Sequence, residues 1–237
     1  MSALVVDIET VGEDWNSLDV TTQEVLTRWI AKEAGNDQAE YEKNLTELKE
    51  GLGFSPLTGQ IVAIGVLDVG YNKGVVYYQA PGSEATATVE GDITYKRMTE
   101  SEMLQHFWAG AAKYNEIVTF NGRGFDIPFL MIRSAIHRIR PTVDLMSNRY
   151  LNPSWRGPKH VDLQDQLTFY GAARKRGALH TWCRAFGIKS PKADGVTGDD
   201  VAALFREQKF LDIARYNVGD LQATKALYEY WRDFVAF

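Results

Sequence analysis

The chain has 237 residues, a net charge of −5 and an apolar fraction of 45%, which suits a soluble globular protein of one large domain with a well-covered core, or of two small ones. No apolar run approaches the roughly 18 residues that a membrane span needs, and the first residues lack the basic-then-apolar order of a signal peptide. The single cysteine, Cys183, and four scattered histidines exclude an intrachain disulfide and argue against thiolate or histidine-rich metal sites, so any metal is expected on oxygen ligands and the location is expected to be cytoplasmic.

In chain order, Leu4, Val5 and Val6 suit a buried central strand. The stretch Val5-Val6-Asp7-Ile8-Glu9-Thr10 then places Asp7 and Glu9 on one side of it, because strand side chains alternate. Two carboxylates so close stay ionised together only with a cation between them, and hard divalent ions such as Mg²⁺ bind such oxygens. The pair by itself also fits two solvated acids at a strand end.

A polar, acidic stretch follows to about Gly53. Thr21 and Glu24 fit a capping box opening a helix with Val25, Leu26, Trp29 and Ile30 at helical spacing. A second helix is expected over residues 38–50, stopping at Gly51. Together these make residues 11–58 a helical insertion after the first strand. Strands are expected at residues 60–68 and 74–79, joined by a hairpin, then a mobile surface loop over 81–91 and a short strand at 92–95.

Thr99 and Glu102 form another capping box, opening a helix with Met103, Leu104, Phe107 and Trp108 on one face. A strand over 116–120 feeds Asn121-Gly122, and a helix over 125–139 carries Pro128 in its first turn. Residues 140–177 are the least regular, with one short strand at 160–163. A helix over 179–186 closes at Gly187. A loop over 191–198 precedes a helix from Asp199 or Asp200 to Phe205. A last helix spans 211–234, its buried stripe traced by Ile213, Leu221, Thr224, Tyr228, Trp231 and Val235. The pattern is an α/β fold, a mixed central sheet flanked by helices, in a single domain over residues 1–237.

Two further stretches carry chemistry. Asn121-Gly122-Arg123-Gly124-Phe125-Asp126-Ile127-Pro128 lies where a strand turns into a helix, the place where α/β sheets build sites, although Asp126 also fits a helix N-cap. Tyr216-Asn217-Val218-Gly219-Asp220 puts Tyr216 and Asp220 four apart on one helix face, with a glycine that suggests close approach. Residues 123–192 hold 13 Lys and Arg against 4 Asp and Glu, so this region can hold a polyanion within an acidic chain.

The order Asp-Ile-Glu-Thr, Asn-Gly-x-x-Phe-Asp-x-Pro and Tyr-x-x-x-Asp resembles the DEDD superfamily of 3′–5′ exonucleases, which have an RNase H-like fold. Arg215 stands where one branch has histidine, and Tyr216 where the other has tyrosine. The chain therefore looks like the Tyr (DEDDy) branch, close to the proofreading exonuclease domains of family B DNA polymerases but stand-alone. The resemblance implies two-metal hydrolysis of phosphodiester bonds at the 3′ end of single-stranded DNA or RNA. It implies two Mg²⁺ or Mn²⁺ ions, with Asp7 bridging them, Glu9 and Asp220 completing the first site, and Asp126 serving the second through water. It also implies that Tyr216 orients the attacking water, and that Thr10 and Asn121 lie near the terminal nucleotide. Arg123, Lys159 and His160 are candidate phosphate contacts. Phe125, Trp155 and Trp182 are core residues or stacking residues, with packing the better reading for each. Asp162 and Asp165 read as helix-start acids. The alternatives are a non-catalytic RNase H-like module that binds single-stranded nucleic acid or a protein, and a metal phosphohydrolase of small nucleotides. The clustered acids weigh against the first and the basic segment against the second.

Overall fold

Alternation along the first strand divides the protein into two cores. β1 (Ala3–Gly12) buries Leu4, Val6 and Ile8 in one core and Val5 and Val11 in the other, so Asp7 and Glu9 project toward the second. In the computed structural model, which describes residues 2–82, 87–190 and 198–236, β1 lies inside one mixed sheet. β2 (Gly59–Asp68) and β3 (Lys73–Tyr78) extend it as an antiparallel meander. β5 (Ile93–Arg97) runs parallel to β3, and β4 (Ala87–Glu90) forms that edge. On the other side of β1, β6 (Glu116–Thr119) and β7 (Lys159–Asp162) run parallel to it.

Helices cover both faces. α3 (Glu100–Ala111) and α4 (Asp126–Ile136) bury Met103, Leu104, Phe107, Trp108, Ile127 and Phe129 against Leu4, Val6 and Ile8. On the opposite face α8 (Phe210–Phe234) crosses β1, β2 and β3 with Ile213, Leu221, Leu227, Tyr228 and Trp231 inward. α5 (Leu163–Leu167), α6 (Leu179–Phe186) and α7 (Val201–Arg206) pack beside α8. Between β1 and β2 the chain forms α1 (Val20–Ala34) and α2 (Gln38–Gly51), flanked by 3-10 turns at Trp15–Ser17 and Leu52–Phe54. That segment docks on β1 by close backbone approach: a Cβ added to Gly53 would meet the Gly12 nitrogen at 3.0 Å.

Several local expectations need correction. Asp19, not Thr21, caps α1; its carboxylate accepts the Thr22 amide at 3.0 Å and the Thr22 hydroxyl at 2.6 Å. The expected loop over 81–91 contains β4, a four-residue edge strand, Ala-Thr-Val-Glu, too short and too exposed to stand out; residues 83–86 lie outside the described residues. The expected loop over 191–198 falls almost wholly on residues 191–197, also outside them. α4 ends at Ile136 rather than 139. α5 is barely more than one turn, too short for periodicity, and only the expected helix-start acids mark it: Asp162 caps it and Asp165 lies in its first turn. The Thr99 capping box is present with both of its bonds, and α6 does end at a left-handed Gly187.

Glu100 ties these layers together near the β1 end that matters. Its carboxylate is 5% exposed and accepts the Ile61 amide at 2.8 Å, two Arg133 nitrogens at 2.9 and 2.7 Å and His137 Nε2 at 2.7 Å. Burial pushes its pKa up, but these donors outweigh burial and hold it below the usual range. Ile61 sits at the register shift between Glu9 and Thr10, so the network fixes α4, with Asp126 at its start, against the sheet. Replacing Glu100 with Ala leaves a buried guanidinium and amide unpaired and is expected to cost about 3–5 kcal/mol of stability. Urea denaturation measures this, and an unchanged midpoint would contradict it.

Candidate active site

The alternation of β1 delivers Asp7 and Glu9 to α8, where they meet Asp220. Each of the three offers a carboxylate oxygen within 4.8 Å of the others, the one such group found among the described residues. A cross-strand feature makes the meeting possible. Asp7 pairs with Gly65 on β2, and a Cβ added to Gly65 would lie 1.8 Å from Asn217 Oδ1. The missing side chain lets α8 lower Asn217, fully buried, directly onto the sheet. From there Asn217 Nδ2 donates to Asp7 Oδ2 at 2.7 Å and to Glu9 Oε1 at 3.3 Å. Its buried Oδ1 has no hydrogen-bond partner among the described residues.

Asn217 and Gly65 are the functional residues that motif reading passed over. Asn217 lies inside the third motif, but a polar residue next to the Tyr216 face gives no sign of its partners. The signal for Gly65 was a lone glycine within an otherwise apolar strand.

The electrostatics are those of crowded like charges. Burial raises the pKa of Asp7 well above the usual carboxylate value, and repulsion from Asp220, Asp126 and Glu9 adds to it. Glu9 is raised well above its usual value by burial and by Asp220, against a lowering bond from Asn217. Protons or cations must therefore neutralise part of this cluster. Three hard oxygen donors converging from a strand and a helix, in a cluster short of positive charge, fit a divalent cation.

Asp126 joins the cluster from the other face of the sheet. β6 pairs with β1 only over Ala3–Val5, so the β1 edge beyond it lacks a strand. The Asp126 carboxylate fills part of that gap and accepts the Ile8 amide at 3.1 Å. It is the first residue of α4, and it does not cap the helix: Phe125 holds the cap position without a side-chain bond. Burial pushes Asp126 up to about 7, with repulsion from Asp162 and Asp220 added and the amides of Ile8 and Asp126 itself opposing. Asp126 is thus within electrostatic reach of the other acids but outside the three-oxygen group.

The loop carrying the second motif is pinned from β7. Asp162 accepts the Asn121 and Arg123 amides, each at 2.9 Å, and also caps α5 through the Gln164 amide at 2.9 Å. Asn121 takes a left-handed φ of 61°, and a Cβ on Gly122 would strike Thr119 at 2.3 Å. The Arg123 guanidinium turns inward, donating to the Met146 carbonyl at 2.7 Å with Nε 4.0 Å from Asp165. The side chain is thereby withdrawn from solvent, although its buried Nε has no hydrogen-bond partner among the described residues. His160 is 1% exposed and bonded at both nitrogens, to the Leu145 carbonyl and to the Thr119 hydroxyl, each at 2.8 Å. A carbonyl only accepts, so Nδ1 carries the proton. Burial holds the ring neutral, with its pKa down to about 3. His160 is therefore a packed link between strands, which corrects its reading as a phosphate contact. Lys159 is half-buried at the start of β7.

The remaining expected residues fall as follows. Tyr216 lies on α8 beside Asp220; burial and the neighbouring carboxylates push its pKa far up, so the hydroxyl keeps its proton. Arg215 points away, paired with Glu90 and Asp212 at 2.6 and 3.0 Å. The Thr10 hydroxyl donates to the Gly53 carbonyl at 2.8 Å. Phe125 is half-buried between Phe129 and the exposed Phe54, at ring distances of 5.5 and 6.4 Å. Trp155 donates to the Pro158 carbonyl, and Trp182 packs on the core beside Phe186. Gly219 borders a cavity of about 350 Å³ between α8 and residues 187–190.

Residues 60–234 match the family described as predicted 3′–5′ exonucleases related to the exonuclease domain of PolB. No curated protein matches the chain. Among solved structures it is similar to the family B DNA polymerase of the hyperthermophilic archaeon Pyrobaculum calidifontis, with a TM-score of 0.58 and 16% identity over 98% of this chain and 24% of that one. The chain thus spans about a quarter of that polymerase. The likeness is one of fold, the RNase H-like fold of a PolB exonuclease domain. Asp7 and Glu9 precede the matched residues, and it is the three-dimensional cluster that joins them to Asp220. No helix among the described residues is long and apolar enough to cross a membrane. The chain belongs to the family of predicted 3′–5′ exonucleases related to the exonuclease domain of PolB.

Proposed function

We propose that the protein removes nucleotides from the 3′ end of single-stranded nucleic acid by hydrolysis dependent on two divalent cations. The observation that carries this reading is the convergence of Asp7, Glu9 and Asp220 oxygens within 4.8 Å, on a family background of 3′–5′ exonucleases. Asp7, Glu9 and Asp220 would hold one ion, and Asp126, within electrostatic reach of them, would serve a second. Mg²⁺ or Mn²⁺ in such a site supplies Lewis acidity and neutralises charge at a phosphodiester. Water attacks phosphorus, the bond to the 3′ oxygen of the penultimate nucleotide breaks, and that oxygen takes a proton as a nucleoside 5′-monophosphate leaves.

The protein's own groups prepare this step. Asn217 holds Asp7 and Glu9 with two bonds from one amide, which fixes their oxygens in the absence of substrate. Tyr216 keeps its proton, so its hydroxyl orients the water by hydrogen bonding and does not act as a base. Thr10 and Asn121 border the terminal nucleotide, while Arg123 serves chiefly to shape the loop. Residues 1–237 act as one exonuclease domain in which the 11–58 insertion buttresses Thr10.

The direct test is digestion of 3′- and 5′-labelled single-stranded oligonucleotides with Mg²⁺, Mn²⁺ or EDTA. Stepwise loss from the 3′ end with either metal alone is expected, and an intact strand contradicts the proposal. Asp7→Ala and Asp220→Ala should remove more activity than Asn217→Ala, for which a loss of about 10- to 100-fold is expected through misplaced ligands. Full activity in Asn217→Ala would remove that residue from the site. Tyr216→Phe should lower the rate by roughly 100-fold while Mn²⁺ affinity stays. A parallel loss of metal affinity would show that the hydroxyl acts on the ligands instead.

The metal-free protein should also lose stability as pH rises. Asp126 has a folded pKa of about 7 against about 4 when unfolded, so its proton contributes stability that is complete below about pH 4 and is lost as pH climbs through about 7. Asp7 and Glu9 are raised in the same direction. The melting temperature in EDTA should fall between about pH 4 and 7, and Mg²⁺ should restore it at the upper end. A flat profile in EDTA contradicts the burial of these charges.

A further inference from the structure

The surface beyond α5 carries exposed aromatics among unopposed cations. Tyr150 and Phe169 are 70% and 58% exposed. The Tyr150 ring packs on the half-buried Tyr170 at 4.8 Å, and Gln166 Nε2 donates to the Tyr170 hydroxyl at 3.0 Å. Phe169 and Tyr170 both have left-handed backbones, with φ of 49° and 56°, followed by Gly171 at 94°. Such conformations are unfavourable for non-glycine residues. Here they are held by the Phe169, Tyr170 and Ala173 amides, which donate to the Gln166, Asp165 and Thr168 carbonyls. The chain is thus fixed in an unfavourable geometry that presents an apolar ring to solvent.

Between residues 166 and 190 there are five Lys and Arg and no Asp or Glu. Arg174, Lys175 and Arg176 are exposed, and no carboxylate among the described residues pairs with them. The ledge is mechanically joined to the acidic cluster. Arg149, next to Tyr150, donates two bonds to Asp165 at 2.8 and 2.7 Å. Asp165 also faces Arg123, three residues before Asp126.

We infer that Tyr150 and Phe169, with Arg174, Lys175 and Arg176, form a second contact for single-stranded nucleic acid, several nucleotides from the end being hydrolysed. Stacking on aromatic rings is indifferent to base identity, and cations beside them track the phosphates. The ring pair and the basic tripeptide match both needs. The inference rests on the proposed exonuclease reading and makes it length-dependent: a dinucleotide occupies the acids only, and a longer strand also reaches the ledge.

The test compares a 12-nucleotide single strand with a dinucleotide as substrates of the full chain, and measures binding of the 12-mer by fluorescence anisotropy with Ca²⁺ in place of Mg²⁺. The parent protein should prefer the 12-mer by at least about tenfold in kcat/KM. Tyr150→Ala with Phe169→Ala should reduce that preference and the 12-mer affinity by roughly tenfold or more, mainly through KM. Phe169→Trp should keep both. Arg174→Gln, Lys175→Gln and Arg176→Gln together should flatten the dependence of log affinity on log salt by about 2. All these side chains are at the surface, so circular dichroism should show the fold retained. Hydrolysis of both substrates without a 12-mer preference, or a preference unchanged in the variants, overturns the ledge and leaves the exonuclease reading standing. Hydrolysis of neither substrate overturns both.

Discussion

Carboxylates buried within a few ångströms of one another cannot all remain charged unless something positive stands among them. That constraint organises this protein. Val5, Leu4 and Val6 bind β1 into the middle of the sheet, and alternation then leaves Asp7 and Glu9 no direction but toward α8. There the helix brings a further acid, Asp220, and only one neutral amide, Asn217, to meet them. An apolar fold of this size gains nothing in stability by assembling such a group. The carboxylates are raised well above their usual pKa by their own burial, so the arrangement is costly until a cation or proton arrives.

Much of the surrounding architecture serves to hold that group in place from several directions. Gly65 removes the side chain that would keep α8 away from β1 and β2. β6 stops short, which bares the Ile8 amide for Asp126. Asp162, from β7, fastens the loop that leads into Asp126, and Glu100 fastens the helix that Asp126 begins. Thr10 is tied to the segment inserted after β1. The four acids are therefore carried by three elements, β1, α4 and α8, and none lies on a loop.

The legible part of this was what local periodicity controls. Period two placed Asp7 and Glu9 together, spacing by four placed Tyr216 beside Asp220, and the capping box at Thr99 and the glycine at 187 marked helix ends where they occur. Contacts across the sheet were not legible. Asn217 needs a space opened by a glycine on another strand, about 150 residues away in the chain. Asp126 looked like a cap because its true partner, the Ile8 amide, is bared only by the early end of β6. Arg123 and His160 looked available to phosphate because residues 140–158 have no period to reveal that Arg123 turns inward to the Met146 carbonyl and that His160 donates to the Leu145 carbonyl.

The central claim is that cations replace protons in the acidic cluster, and counting protons tests it most directly. Calorimetric titration of the metal-free protein with Mn²⁺ near pH 7, repeated in buffers of different ionisation enthalpy, gives the number released per ion bound. Asp126 near its pKa of about 7, with Asp7 and Glu9 raised as well, predicts release on the order of one proton or more, lost in Asp7→Asn. Saturable Mn²⁺ binding with no proton released, or no binding at all, would contradict the account.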